Sequence, residues 1–111
     1  MKETISFEAF AKVDLRVGTI IEVRDFPEAK NPAYQLTIDF GTLGIKKSSA
    51  QITTLYKKED LIGKQIVAVI NFPKKQIAKF MSECLVLGAV DGKDVMLLNP
   101  ENNVLNGTVV S

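Results

Sequence analysis

The segment NFPKKQIAKFMSECLVLG, residues 71–88, sets Lys74, Lys75 and Lys79 among Phe72, Ile77, Phe80 and Met81, with no acid before Glu83. Two ligand chemistries suit that mixture. Lysines neutralise phosphates and release counterions, while aromatic rings offer stacking platforms to unpaired bases. The same apolar groups can hold the hydrophobic side chains of an unfolded polypeptide, with charge steering the encounter. A second basic stretch, IKKSSAQITTLYKK at 45–58, places Lys46 and Lys47 beside Ser48 and Ser49, whose hydroxyls can grip a phosphate or a peptide carbonyl. Residues 45–58 and 71–80 together hold seven of the fourteen lysines and arginines and none of the thirteen acids, so the remaining 87 residues carry a net −6. The protein is expected to be electrically polarised, attracting anions to one place.

Each of these residues also has a plainer reading. Lysines are common on solvated faces and on edge strands, where they discourage stray pairing, and Lys57 and Lys58 fall in a loop. Phe72 and Phe80 can be core rather than binding groups. Ser48 and Ser49 can simply bridge strands, and Asn71 can fix the turn into Phe72-Pro73.

Catalysis is disfavoured. The 111 residues include no histidine, which removes the usual general base, the usual metal ligand and any Ser-His or Cys-His pair. Glu59-Asp60 lies in the loop-like KKEDLIGK, and Asp91 and Asp94 flank the Gly92 turn, so these acids read as solvated turn residues. No Walker loop, GxGxxG, CxxC or HExxH pattern occurs, so no catalytic residue, metal or cofactor is expected. The single Cys84 cannot form an intramolecular disulfide and sits in the apolar context MSECLVLG, as a packing residue would. With no leader-like or long apolar span, a cytoplasmic protein without membrane insertion is expected.

The elements that must position these groups are mostly strands, in one domain over 1–111. SFEAFAKV sets Phe7, Phe10, Ala11 and Val13 on one face of a short helix. DLRVGTIIEVRDF reads as a long strand with a bend or bulge near Ile21, supported by Gly18. YQLTIDFG alternates Tyr34, Leu36, Ile38 and Phe40, assigned to the core, with Gln35, Thr37 and Asp39. LGIKKSS gives a third strand, SAQITTLYKKEDLIGK a short helix and loop, and QIVAVINF a central strand. CLVLGAV and VMLLN flank a DGKD turn, and the tail supplies a last strand over Val104–Val110. Five or six strands with a helix between the third and fourth is the order of an OB-fold, a five-stranded Greek-key barrel, although a small sandwich or an SH3-like barrel shares the pattern.

A resemblance narrows this. FAKVDLRVGTIIEV, FPEAKNPAYQLTIDFG, GIKKSSAQIT, NFP, IAKFMSECLVLG and the tail NGT, in that order, resemble the structure-specific tRNA-binding-domain family over about residues 7–110, and within it the CsaA branch of protein-export chaperones. Members that bind tRNA show a stretch like NLKPxKMRGVxSxGM after the fourth strand. Here Asn71 and Ser82 keep their mutual spacing, whereas Lys79 stands at the glycine position, Leu85 at the methionine position, and Pro73 comes early. The resemblance implies an OB barrel with a short N-terminal helix and a C-terminal strand extension. It also implies a homodimer built through the terminal segments, with Phe7, Phe10, Val104 and Val109 at the interface. Exposed phenylalanines on a short terminal helix would themselves require a partner.

On such a barrel Lys46, Lys47, Lys74, Lys75 and Lys79 are expected to form one cationic rim, with Phe72, Ile77 and Phe80 lining an apolar depression beside it. The expected function is that of an ATP-independent chaperone binding unfolded preproteins or peptides, with Ser48, Ser49, Asn71 and Ser82 completing the face. The alternative is a tRNA-binding protein using the same face.

Overall fold

The period-two pattern at residues 34–40 folds as written: Leu36, Ile38 and Phe40 point inward and are completely buried, while Gln35, Thr37 and Asp39 face out. The computed structural model describes residues 1–111. Its order is α1 (Phe7–Ala11), β1 (Leu15–Asp25), β2 (Tyr34–Asp39), a 3₁₀ turn (Gly41–Leu43), β3 (Ile45–Ala50), α2 (Lys58–Leu61), β4 (Gln65–Val69), β5 (Lys75–Ile77), β6 (Phe80–Ser82), β7 (Leu85–Val86), β8 (Gly88–Asp91), β9 (Asp94–Leu97) and β10 (Val109–Val110). The main sheet runs β3-β2-β1-β4-β7, with β10 also on β1, every pair antiparallel. Curled so that β3 approaches β7, it is a nearly closed five-stranded barrel, the OB-fold expected from the sequence.

Inside the barrel lie Ile20, Leu36, Ile38, Phe40, Ala50, Ile52, Ile66, Ala68 and Cys84, joined by the fully buried Leu61 of α2. The first half of β1, Leu15–Ile20, and β4 are covered on both faces, which is why QIVAVI reads as one apolar run rather than an alternation. Their outward residues Leu15, Val17, Val67 and Val69 form a second cluster, packed by Val13, Leu87 and Val110. The bulge falls where the sequence placed it: the β1–β2 register slips between Ile20 and Glu22, leaving Ile21 unpaired and exposed. Gly18 has a different job from the one read in the sequence. A Cβ there would sit 2.7 Å from both Ile38 and Phe40, so the glycine makes room for the Phe40 ring rather than for a bend.

The tail is a correction. Only Val109–Val110 pairs as a strand; Val104 instead exchanges hydrogen bonds with the Gln65 side chain, its carbonyl accepting at 2.7 Å and its N–H donating at 3.1 Å. At the other terminus Ser6 caps α1 by accepting from the Ala9 N–H at 3.0 Å. A five-residue helix is too short to hold itself. Asn71 anchors the chain that follows it, accepting from the Asp14 N–H at 2.9 Å and donating to the Lys12 carbonyl at 2.7 Å. No helix is long and apolar enough to cross a membrane.

Candidate functional site

The seam that closes the barrel is built largely by polar side chains. Ser48 is 1% exposed and its hydroxyl donates to the Cys84 carbonyl at 2.9 Å. Next to it the Ser49 N–H donates to Ser82 Oγ at 3.1 Å, the Lys47 N–H to Glu83 Oε1 at 3.0 Å, and the Glu83 N–H to the Lys47 carbonyl at 2.7 Å. These bonds replace the ladder that β3 lacks on this edge, and the Ser48 bond satisfies a hydroxyl and a carbonyl that would otherwise be buried unpaired. Ser48 therefore has no free hydroxyl to offer a ligand, contrary to the polar grip read from the sequence. Burial pushes the Cys84 thiol up to about 11, so it stays neutral and packs.

Residues 71–83 form a projecting loop whose middle is a β5–β6 hairpin, with Ile77 opposite Phe80, Gln76 opposite Met81 and Lys75 opposite Ser82. No hairpin was expected here. Its two-residue turn is Ala78-Lys79, and Ala78 takes the left-handed conformation at φ 52° that glycine or asparagine normally marks. The Gln76 side chain steadies the turn by donating to the Ala78 carbonyl at 2.6 Å.

Between this loop and the seam lies an open depression of about 290 Å³, walled by Phe72, Pro73, Ile77 and Leu85, with Ser49, Gln51, Lys75, Ser82 and the buried Cys84 behind. Phe72 is 50% and Leu85 46% exposed, so both present apolar surface to solvent. Lys75 is the single charge in the lining.

The outer face of β1–β2–β3 carries a second, smaller depression of about 100 Å³, lined by Glu22, Arg24, Gln35, Thr37, Lys47 and Phe80. The register explains its order: Glu22, Thr37 and Lys47 form one row across three strands, and Arg24, Gln35 and Ser49 the next. Glu22 holds the Arg24 guanidinium at 3.1 Å. Phe80 overhangs the face, its ring 5.4 Å from that of the buried Phe26.

The expected single rim is thus divided. Strand alternation puts Lys46, opposite the inward Ile38, on the other side of β3 from Lys47. Lys74 is drawn to Glu83 at 3.5 Å, Lys79 sits in the hairpin turn, Lys75 belongs to the apolar depression and Lys47 to the polar one. Phe72 and Ile77 share a depression, whereas Phe80 lines the other. Asn71 spends both ends of its amide on the backbone. Glu22, Arg24, Gln35 and Thr37 were not singled out in the sequence. Their alternation with core residues marks them as outward, but only the strand register makes them neighbours. At the termini, Phe7, Phe10, Val104 and Val109 are all exposed, as are Ile5 and Leu105.

Residues 15–109 match the family described as "Putative tRNA binding domain". The crystal structure of the chaperone CsaA of Bacillus anthracis superposes with a TM-score of 0.94 at 55% identity, over 98% of this chain and 100% of that one. The CsaA chaperone protein of Picrophilus torridus superposes at 0.91 with 53% identity, over 97% and 100%. The methionine–tRNA ligase of Pyrococcus horikoshii is 39% identical over 108 residues, 97% of this chain but only 15% of that protein. The chain therefore spans a small fraction of the ligases it matches.

Proposed function

The chain belongs to the tRNA-binding-domain family, on its CsaA branch, and from that premise we propose that it is an ATP-independent chaperone that binds unfolded or export-bound polypeptides. One observation carries the reading: the depression under the β5–β6 loop, in which Phe72, Pro73, Ile77 and Leu85 offer apolar surface with a single cation, Lys75, at its side. Phe72 and Leu85 are half in solvent without a covering partner in the monomer, and leaving such groups wet costs free energy that a client's apolar side chain recovers. Likeness over full length to two CsaA chaperones supports it. The work is binding, without cofactor or chemistry. The exposed Ile5, Phe7, Phe10, Val104, Leu105 and Val109 support a homodimer joined through the terminal segments.

The test is anisotropy of a labelled unfolded export-type peptide against wild type, Phe72→Ser and Leu85→Ser. Both side chains are half exposed, so the fold should survive. Each side chain is about half exposed, so losing the burial of that half is expected to cost about 0.7–1.5 kcal/mol of binding, roughly three- to twelvefold in Kd. Unchanged affinity in both folded variants would defeat the reading. A second reading, tRNA binding, is favoured by the family match and by the polar face of β1–β2–β3.

A further inference from the structure

We propose that Asn106-Gly107 is a deamidation site that the fold keeps silent, and that its reaction turns a passing opening of the C-terminal segment into a lasting release. The inference stands apart from the chaperone reading and concerns how long that segment stays on the barrel.

Asn106 is the one asparagine that precedes a glycine. A glycine nitrogen has no neighbouring Cβ to hinder it, so it is the most accessible backbone nucleophile for the side chain before it. In the reaction the deprotonated Gly107 nitrogen bonds to Asn106 Cγ and ammonia leaves, closing a succinimide ring. Water then adds to one of the two ring carbonyls and breaks its bond to nitrogen. The product is aspartate, or isoaspartate when the chain is left running through Cγ.

The folded barrel holds both reacting groups. Thr19 and Gln65 are cross-strand partners on β1 and β4, and both donate to Asn106 Oδ1, Thr19 Oγ1 at 2.7 Å and Gln65 Nε2 at 3.2 Å. The Gly107 N–H donates to the Val17 carbonyl at 2.7 Å, a bond it must give up before it can lose its proton. Arg16 Nη1 donates to the Gly107 carbonyl at 3.0 Å, and the Thr108 N–H closes the turn on the Leu105 carbonyl at 3.1 Å. The guard is local, however. β10 is two residues long, and Val104, Leu105 and Val109 are exposed, so this stretch opens before the barrel does.

The two products fit differently. Asn106 Nδ2 donates to no group of the protein, so an aspartate keeps the bonds from Thr19 and Gln65 and loses nothing. Isoaspartate lengthens the backbone by one atom, and the turn has no room for it. A Cβ on Gly41 would lie 2.4 Å from the Asn106 carbonyl oxygen, and one on Gly107 would lie 2.6 Å from that of Phe40. Isoaspartate therefore drives residues 104–110 off β1 and uncovers the cluster of Leu15 and Val17 on which Val110 packs.

The experiment incubates the full chain in mildly alkaline buffer, folded and in urea. Peptide mapping follows the amide-to-acid mass change at Asn106, and an isoaspartyl methyltransferase counts isoaspartate. Asp91-Gly92 can also isomerise, but without a change of mass. Deamidation should run at least roughly tenfold faster in urea than in the folded chain. Gln65→Ala frees Val104 as well as Asn106 and should speed the folded chain roughly tenfold. Thr19→Val, which keeps the shape and deletes the hydroxyl, should speed it about two- to tenfold, folding of both variants being checked by circular dichroism. Asn106→Asp, the aspartate product, should keep amide-exchange protection at Val17 and Gly107, whose N–H groups donate to Thr108 and Val17, whereas the isolated isoaspartate form should lose it. Equal rates folded and in urea, or wild-type rates in both folded variants, would overturn the guard. Isoaspartate chains that keep full protection at Val17 would overturn the release.

Discussion

Replacing Asn71 with alanine separates a scaffold role from a ligand role at a position the sequence offered for both. The amide joins two segments distant in the chain, accepting from the Asp14 N–H at 2.9 Å and donating to the Lys12 carbonyl at 2.7 Å. A typical net hydrogen bond is worth about 0.5–1.5 kcal/mol, so Asn71→Ala should cost about 1–2 kcal/mol. The loss has a ceiling. Once residues 1–13 fray, little beyond the packing of Val13 is forfeited, because none of the residues of α1 is buried. For a chain of this size that corresponds to a Tm lowered by roughly 4–8 °C. Asn71→Asp should do no better than alanine, since it keeps the acceptor for Asp14 but sets a carboxylate oxygen against the Lys12 carbonyl. Scanning calorimetry gives the first readout and amide exchange the second: Asp14 should lose protection about tenfold while the barrel strands keep theirs. Unchanged Tm and exchange, together with lost peptide or tRNA affinity, would refute the reasoning and make Asn71 a ligand contact.

Ser48→Ala should strand the buried Cys84 carbonyl at the barrel seam and lower stability by about 1–3 kcal/mol, measured by urea titration; a wild-type midpoint would mean that the backbone bonds alone close the barrel. Cys84 gives a pH signature. Its folded pKa of about 11 lies above the ordinary 9.0, so an unfolded thiol ionises first. The stability linked to it is complete below pH 9 and drains away as pH rises through 11. The difference in stability between wild type and Cys84→Ala should therefore shrink by about 2–3 kcal/mol over that window, and a constant difference would contradict the burial. Deleting residues 1–13 removes Ile5, Phe7 and Phe10 and should give a monomer by sedimentation; an intact dimer would sink the terminal-interface proposal.

The barrel was legible because its signals are local. Alternation at Leu36, Ile38 and Phe40, a slip at Ile21, and a two-faced apolar run at residues 65–70 each have one physical cause, and β1, β2 and β4 obey it. The β5–β6 hairpin was not, because its turn uses Ala78 at positive φ where the readable signal is glycine or asparagine. Gly18 was noticed for the wrong reason: its partner, Phe40, is far away in sequence, so a local reading finds a bend where there is a packing constraint. The lysines were visible as a cluster along the chain, yet alternation turns Lys46 away from Lys47 and Glu83 draws off Lys74. Sequence proximity counts charges without saying which face holds them.

That division changes what kind of affinity each depression can supply. One lysine stands in each, Lys75 in the apolar depression and Lys47 in the polar one. A single phosphate contact contributes less than one unit of salt slope, so electrostatics at one depression is a weak source of grip. On the proposed chaperone reading, affinity at the apolar depression would come chiefly from burial of Phe72 and Leu85. A dimer presents both depressions twice, and a long client or a folded RNA that reaches both copies gains by effective concentration what one copy lacks. Under this arrangement the N-terminal truncation should weaken long clients and tRNA far more than it weakens a short peptide that fills one apolar depression. Equal weakening of all three would mean that the terminal segments touch the ligand directly.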